Sequence, residues 1–218
     1  MILVRVASYI VQARLQNRFR KYSGIANTAN LTGAEVAARM LRDNGIYDVK
    51  ICSIPGELTD NYNPENKTLN LSEEVYSMRS IAAAAVAAHE CGHALQHAQG
   101  YKPLVFRSAL VPVVSFANKF VSWVLLAGVM LIQLTPALLW FGILLFAATT
   151  FFSLVTLPVE INASARAVSW LENSGIANYE TRPMAQDALK WAAYTYVIAA
   201  LGSLATLIYY ITIANNRR

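Results

Sequence analysis

Of the chain's 218 residues, 56% are hydrophobic and only 14% carry charge, whereas ordinary soluble domains carry charge on about a quarter. The net charge of +5 is spread along the chain, with no basic stripe and no nucleic-acid motif, which argues against a nucleic-acid partner. Two cysteines, Cys52 and Cys91, are too few for a disulfide framework and fit a reducing compartment.

Residues 1–21 set Val4, Ile10, Val11 and Leu15 among Arg14, Arg18, Arg20 and Lys21. This pattern predicts a basic amphipathic helix lying on an anionic membrane surface. Arg5 interrupts the apolar part and no small-residue cleavage site follows, so a signal peptide is not expected. Residues 22–110 read as a small α+β domain. Within it, LTGAEVAARMLRD (31–43) predicts a helix, with Thr32 and Glu35 spaced as a capping box. VKICSI (49–54) and KTLNLS (67–72) alternate as strands do. The segment between them, GELTDNYNPENKT, is dense in turn formers. From Ser72 and Glu74 a single helix is expected to run through SIAAAAVAAHECGHALQHA.

The membrane segments show in the missing charges. No charged residue lies between Lys119 and Glu160, and none between Lys190 and Arg217. A span needs about 20 apolar residues, so the first gap holds two and the second holds one. The first gap breaks at QLTPA (133–137), where Pro136 suits a tight turn. Residues 111–158 are therefore expected to form a transmembrane hairpin. Residues 159–190 return as a second part of the domain at 22–110, and 191–214 form a third span. Trp123, Trp140, Trp191, Tyr209 and Tyr210 fall near the span ends, as interfacial aromatics do.

All three histidines, His89, His93 and His97, lie in VAAHECGHALQHAQG. Residues four apart share a helix face with Cβ atoms about 5–6 Å apart, so His89 and His93 can hold one zinc ion while Glu90 acts as general base. His97 lies eight residues from His89, about 12 Å along the axis. That is too far for the same ion, leaving it a supporting or surface role. A catalytic zinc needs a third protein ligand and an open position. Glu160 stands out because a hairpin returns it to the face on which the chain left, whereas Glu73 and Glu74 lie too far up the same helix. The plain alternative for Glu160 is an interfacial charge closing the span. Cys91 is expected to pack. Tyr62, Arg166 and His97 are candidates for the oxyanion donor.

Four stretches, LTGAEVAARML, GELTDNYNPENKTLNLSEEVYS, AAHECGHALQHAQGYKPLVFRSALVPV and LVTLPVEINASARA, resemble the YugP-like membrane zinc metallopeptidases. More distantly, EINAS is similar to the E-x-x-A-D segment of HtpX-type gluzincin peptidases. There the glutamate is the third zinc ligand, which implies that role for Glu160. Ser164 stands where that group has Asp, and Asn61 stands where the family has a His. The resemblance also implies a substrate-binding edge strand before the active helix, a place that KTLNLS occupies.

The fold expected is α+β: a small zincin-like catalytic unit with an HExxH helix, plus about three transmembrane helices. The expected function is zinc-dependent hydrolysis of membrane-associated polypeptides. Basic residues crowd the N-terminal side of the first span, which places the catalytic side in the cytoplasm of a bacterial inner membrane. Two other functions fit parts of the pattern: an intramembrane, site-2-like metalloprotease, and a membrane scaffold with structural zinc.

Overall fold

The computed structural model describes residues 2–216. Met1, Arg217 and Arg218 lie outside the described residues. Ten elements follow in order: α1 (Ile2–Ser23), α2 (Gly33–Asp43), β1 (Lys50–Ile54), β2 (Asn61–Asn63), β3 (Thr68–Ser72), α3 (Glu73–Ser77), α4 (Ile81–Ala98), α5 (Lys102–Met130), α6 (Pro136–Asn173) and α7 (Arg182–Asn215). The chain divides into two compact units. In described residues, one comprises 2–9, 102–158 and 195–216, and the other comprises 10–101 and 159–194.

The second of these is a mixed helical unit around a small sheet. Its central helix is α4, whose alanines Ala82 to Ala85, Ala87 and Ala88 are fully buried. Alanine is the best helix former and projects almost nothing sideways. Neighbouring elements can therefore lie close, and α2 brings Val36, Ala37 and Met40 into the same core. The Thr32 capping box forms as its spacing predicts: Glu35 N donates to Thr32 Oγ1 at 3.1 Å, and Thr32 N donates to Glu35 Oε2 at 2.7 Å. Gly33, the first residue of α2, packs so tightly that a Cβ there would lie 2.1 Å from the Val75 carbonyl oxygen.

Two expectations are corrected here. The sheet order is β1-β3-β2, with β1 parallel and β2 antiparallel to β3. KTLNLS is thus the central strand and not an exposed edge, because Leu69 and Leu71 fill the core on one face while both flanks are paired. The turn-rich segment between the expected strands itself contributes β2, an asparagine-bearing strand with Asn61 opposite Asn70 and joined to it side chain to side chain at 3.0 Å. The single helix expected from Ser72 is also two. It stops after Ser77, and Met78 turns extended at φ −73° and ψ 142°. Ser80 then caps α4 by accepting from Ala83 N at 3.1 Å. The break exists because residues 79–81 pair with the chain at 25–27: Asn27 N donates to Arg79 O at 3.0 Å, and Ile81 N to Ile25 O at 2.8 Å.

The other unit holds apolar helical segments. α5, α6 and α7 are each long and apolar enough to cross a membrane, and only 22%, 22% and 11% of their most apolar windows is buried. Large apolar side chains such as Trp123, Met130 and Leu134 are left outward-facing, which suits a hydrocarbon solvent. α5 and α6 meet closely near their connection. Gly128 sits where a Cβ would be 2.6 Å from Leu139 Cα, and Gly142 abuts Leu125. The turn falls just before Pro136, which opens α6, a position where the missing N–H has no helical partner to lose.

A substitution test follows from the Gly33 contact. Gly33→Ala is expected to lower the stability of the second unit by about 1–3 kcal/mol through overpacking against the Val75 backbone. Thermal unfolding in detergent, compared with Gly45→Ala on an open turn, measures it.

Candidate metal centre

Helical spacing brings the first two groups together. His89 and His93 lie one turn apart on α4, with ring centroids 4.9 Å apart and planes nearly perpendicular, at 86°. The third group comes from α6. Its Glu160 Oε2 lies 3.3 Å from His89 Nε2 and 3.5 Å from His93 Nε2. One ligating atom from each of the three falls within 4.8 Å of the others. Gly92 makes this approach possible: a Cβ there would lie 2.7 Å from Ala163 O and 3.1 Å from Ala163 Cα. α4 and α6 are therefore in backbone contact between the two histidines.

These groups fit a zinc ion. Two atoms bound to one tetrahedral zinc at about 2.0–2.1 Å lie roughly 3.3–3.4 Å apart, close to the two nitrogen–oxygen separations found here. Glu160 is 3% exposed, and its Oε2, aimed between the imidazoles, has no hydrogen-bond partner among the described residues. A buried carboxylate oxygen without a partner is costly, and a shared cation removes that cost. The outward nitrogens of both rings are also engaged. His89 Nδ1 meets Ser164 Oγ at 3.1 Å, and His93 Nδ1 meets Gln96 Oε1 at 3.0 Å. Metal-binding histidines characteristically have this second contact.

The family comparison agrees with this chemistry. A family model described as "Putative neutral zinc metallopeptidase" matches residues 1–215. The chain belongs to that family. It is 43% identical over 211 residues to "Putative membrane protease YugP" of Bacillus subtilis (strain 168), covering 97% of this chain and 93% of that protein. No solved structure matches.

In this member of the zinc metallopeptidase family, Glu90 is buried beside the histidines. Burial pushes its carboxyl group up from the ordinary range, opposed in part by His89 and His93. Burial alone would pull the His93 imidazolium down, but the Glu160 and Glu90 carboxylates more than offset it and raise it. Cys91 is fully buried with Sγ 3.7 Å from Ala37 O, and burial pushes its thiol up; it packs. His97 is exposed on the last turn of α4, where its Nδ1 meets Tyr62 OH of β2 at 2.9 Å. Arg166 donates from Nε to Asn162 Oδ1 at 2.7 Å and from Nη1 to Gln99 Oε1 at 2.6 Å. Glu73 and Glu74 sit on α3, a separate helix from the histidines.

Sequence reasoning missed three residues here: Gly92, Asn162 and Gln96. Gln96 is wholly buried and donates from Nε2 to Val159 O at 2.9 Å and to Asn162 Oδ1 at 3.0 Å. Its signal was an amide three residues after His93, on a helix whose buried residues are mostly apolar.

Gly92→Ala is expected to force α4 and α6 apart by a few tenths of an ångström and to cost about 1–3 kcal/mol. Thermal unfolding of the metal-free protein in detergent reads this cost independently of any bound ion, and an unchanged midpoint would contradict the backbone contact.

Proposed function

We propose that this chain is a membrane-anchored zinc endopeptidase whose second unit is a gluzincin-like variant of the zincin architecture, with zinc held by His89, His93 and Glu160. The observation that carries the reading is the buried Oε2 of Glu160, without a hydrogen-bond partner and within 3.5 Å of both Nε2 atoms. Three ligating groups meet in this cluster among the described residues. Structural zinc sites close with four protein ligands, while catalytic sites leave a position open. The count therefore favours the enzyme over a scaffold. The HECGH helix α4 is not among the three helices apolar enough to span a membrane, so no observation favours the intramembrane protease.

Zinc, when bound, supplies Lewis acidity and lowers the pKa of a coordinated water to about 7. Glu90 follows His89 directly, so its carboxylate is turned away from the ligand pair by one residue yet stays beside it. Buried beside the ligand pair, it is the carboxylate placed to serve as general base. Glu90 takes the proton of the attacking water and passes it to the leaving amine. The protein groups that orient the scissile carbonyl come from Tyr62 and His97, which already meet each other. Arg166 has two of its donors committed to Asn162 and Gln99 and is better read as support. The substrate is a polypeptide at the membrane surface. With β3 central, β2 offers the free edge beside Tyr62 for an extended chain.

The catalytic side is placed in the cytoplasm of a bacterial inner membrane by the density of basic residues ahead of the first span: Arg5, Arg14, Arg18, Arg20, Lys21, Arg39 and Arg42.

Two outcomes are expected. Purified protein carries about one zinc per chain. Glu90→Gln retains that zinc while slowing cleavage by about 100- to 10,000-fold; the targets are found by comparing membrane proteomes of cells expressing wild type and variant at equal levels. Undiminished cleavage by the glutamine variant would reject the mechanism. Cysteines placed at residues 47 and 134 test orientation: an impermeant thiol reagent applied to intact cells labels 134 and spares 47, and the reverse pattern overturns the cytoplasmic assignment.

A further inference from the structure

The hydrogen bonds behind His93 form a chain whose direction is fixed at both ends. Arg166 can only donate, so the atom of Asn162 that it meets at 2.7 Å is an acceptor, Oδ1. The Gln96 nitrogen lies 3.0 Å from that same Oδ1 and 2.9 Å from the Val159 carbonyl. Both neighbours only accept here, so the amide of Gln96 cannot be turned the other way. Its Oε1 is left facing His93 Nδ1 at 3.0 Å, and an amide oxygen only accepts. Gln96 therefore holds a proton on Nδ1 of His93, while Nε2 faces the Glu160 carboxylate, which competes for a proton there until a cation takes its place. His89 differs. Its Nδ1 meets the Ser164 hydroxyl, which can donate or accept by rotating and so dictates nothing.

We propose that Gln96 is a positioning residue that locks His93 in its Nδ1-protonated tautomer, and that Arg166, through Asn162, sets the direction of the bonds that do so. With one proton held on Nδ1, Nε2 is the nitrogen left to give up its proton to a metal, the form in which an imidazole binds one. Gln96 also ties α4 to the α6 backbone at Val159, one residue before Glu160, so the same side chain orients one ligand and anchors the segment bearing another. The guanidinium lies over the Tyr101 ring, 5.8 Å from its centroid, and is held by Gln99 as well. It is thus fixed from the outer side and cannot swing away from Asn162 without breaking those contacts. What the lock means for metal affinity rests on the zinc reading above; the tautomer itself does not.

The test uses full-length protein in lipid nanodiscs, with and without zinc. With three histidines in the chain, 15N labelling resolves each ring, and His97→Gln assigns the exposed one. In wild type, His93 is expected to carry a proton on Nδ1 both before and after zinc is added, while Nε2 gives up any proton of its own to the metal. In Gln96→Met, which keeps length and removes all three hydrogen bonds, the Nε2-protonated form becomes populated and the zinc dissociation constant rises about 10- to 100-fold. Arg166→Met shifts both readouts the same way by less, and Arg166→Lys restores them because an ammonium still donates to Asn162. Should Gln96→Met fail to fold, the two Arg166 variants carry the test. A folded Gln96→Met or Arg166→Met with wild-type tautomer and wild-type zinc affinity overturns the proposal, since a merely structural role would move the melting midpoint alone. Wild type that shows the locked tautomer yet binds no zinc supports the lock and overturns the metal centre instead.

Discussion

The Oε2 atom of Glu160 lies inside the second unit between two imidazole nitrogens, with no hydrogen-bond partner among the described residues. Leaving a carboxylate in such a place costs several kcal/mol. The surrounding architecture serves to bring it there. The alanine-rich flank of α4 gives close access, Gly92 lets the backbone of α6 touch at Ala163, and Gln96 holds the carbonyl next to Glu160. A larger residue at 92 or an apolar one at 96 would each loosen a different side of the same contact. The site is thus specified by small residues and one amide as much as by its ligating groups.

One helix could not have supplied this geometry. Two imidazoles four residues apart reach a common point, but the next residue on that face lies about 12 Å from the first along the axis. His97 obeys this limit: it turns out to the surface and pairs with Tyr62. A third group has to arrive from another element, and α6 brings two useful residues one turn apart. Glu160 faces the Nε2 atoms, while Ser164 reaches Nδ1 of His89. The four-residue interval on α6 thus mirrors the interval on α4.

How much of this was legible in the sequence depended on whether the signal was local. The spacing of the histidine pair, the capping box at Thr32 and the turn before Pro136 are each written within a few residues, and each has its counterpart in the structure. The proximity of Glu160 to the histidines was reached by counting spans, a global argument that worked because charge is absent over so long a run. The sheet was half read. β3 showed its alternation, but β2 is made of residues that favour turns, and its pairing depends on Asn70 of another strand. The break before α4 was hidden for a similar reason: Met78 and Arg79 are acceptable helix formers, and only pairing with residues 25–27 holds them extended. Gln96 was hidden most deeply. Its neighbours in sequence do not reveal that three polar groups, on two helices, converge on it.

That convergence bears on how metal affinity and folding are linked. The ligating groups sit on α4 and α6, so a cation binds well only where these helices are packed. Its binding free energy is then also a free energy of packing, contributing RT ln(1 + [L]/Kd), or about 2.7 kcal/mol when the free ion exceeds its dissociation constant a hundredfold. Without the ion, the two negative side chains Glu160 and Glu90 lie near each other in the interior, and His93 is driven toward protonation to compensate. A proton satisfies one oxygen–nitrogen pair at a time, whereas a metal satisfies both. The bond from His93 Nδ1 to Gln96 Oε1 stabilises the protonated ring as well as the neutral one, so by itself it does not turn the proton away. The advantage of a metal is that it engages both imidazoles and the carboxylate at once.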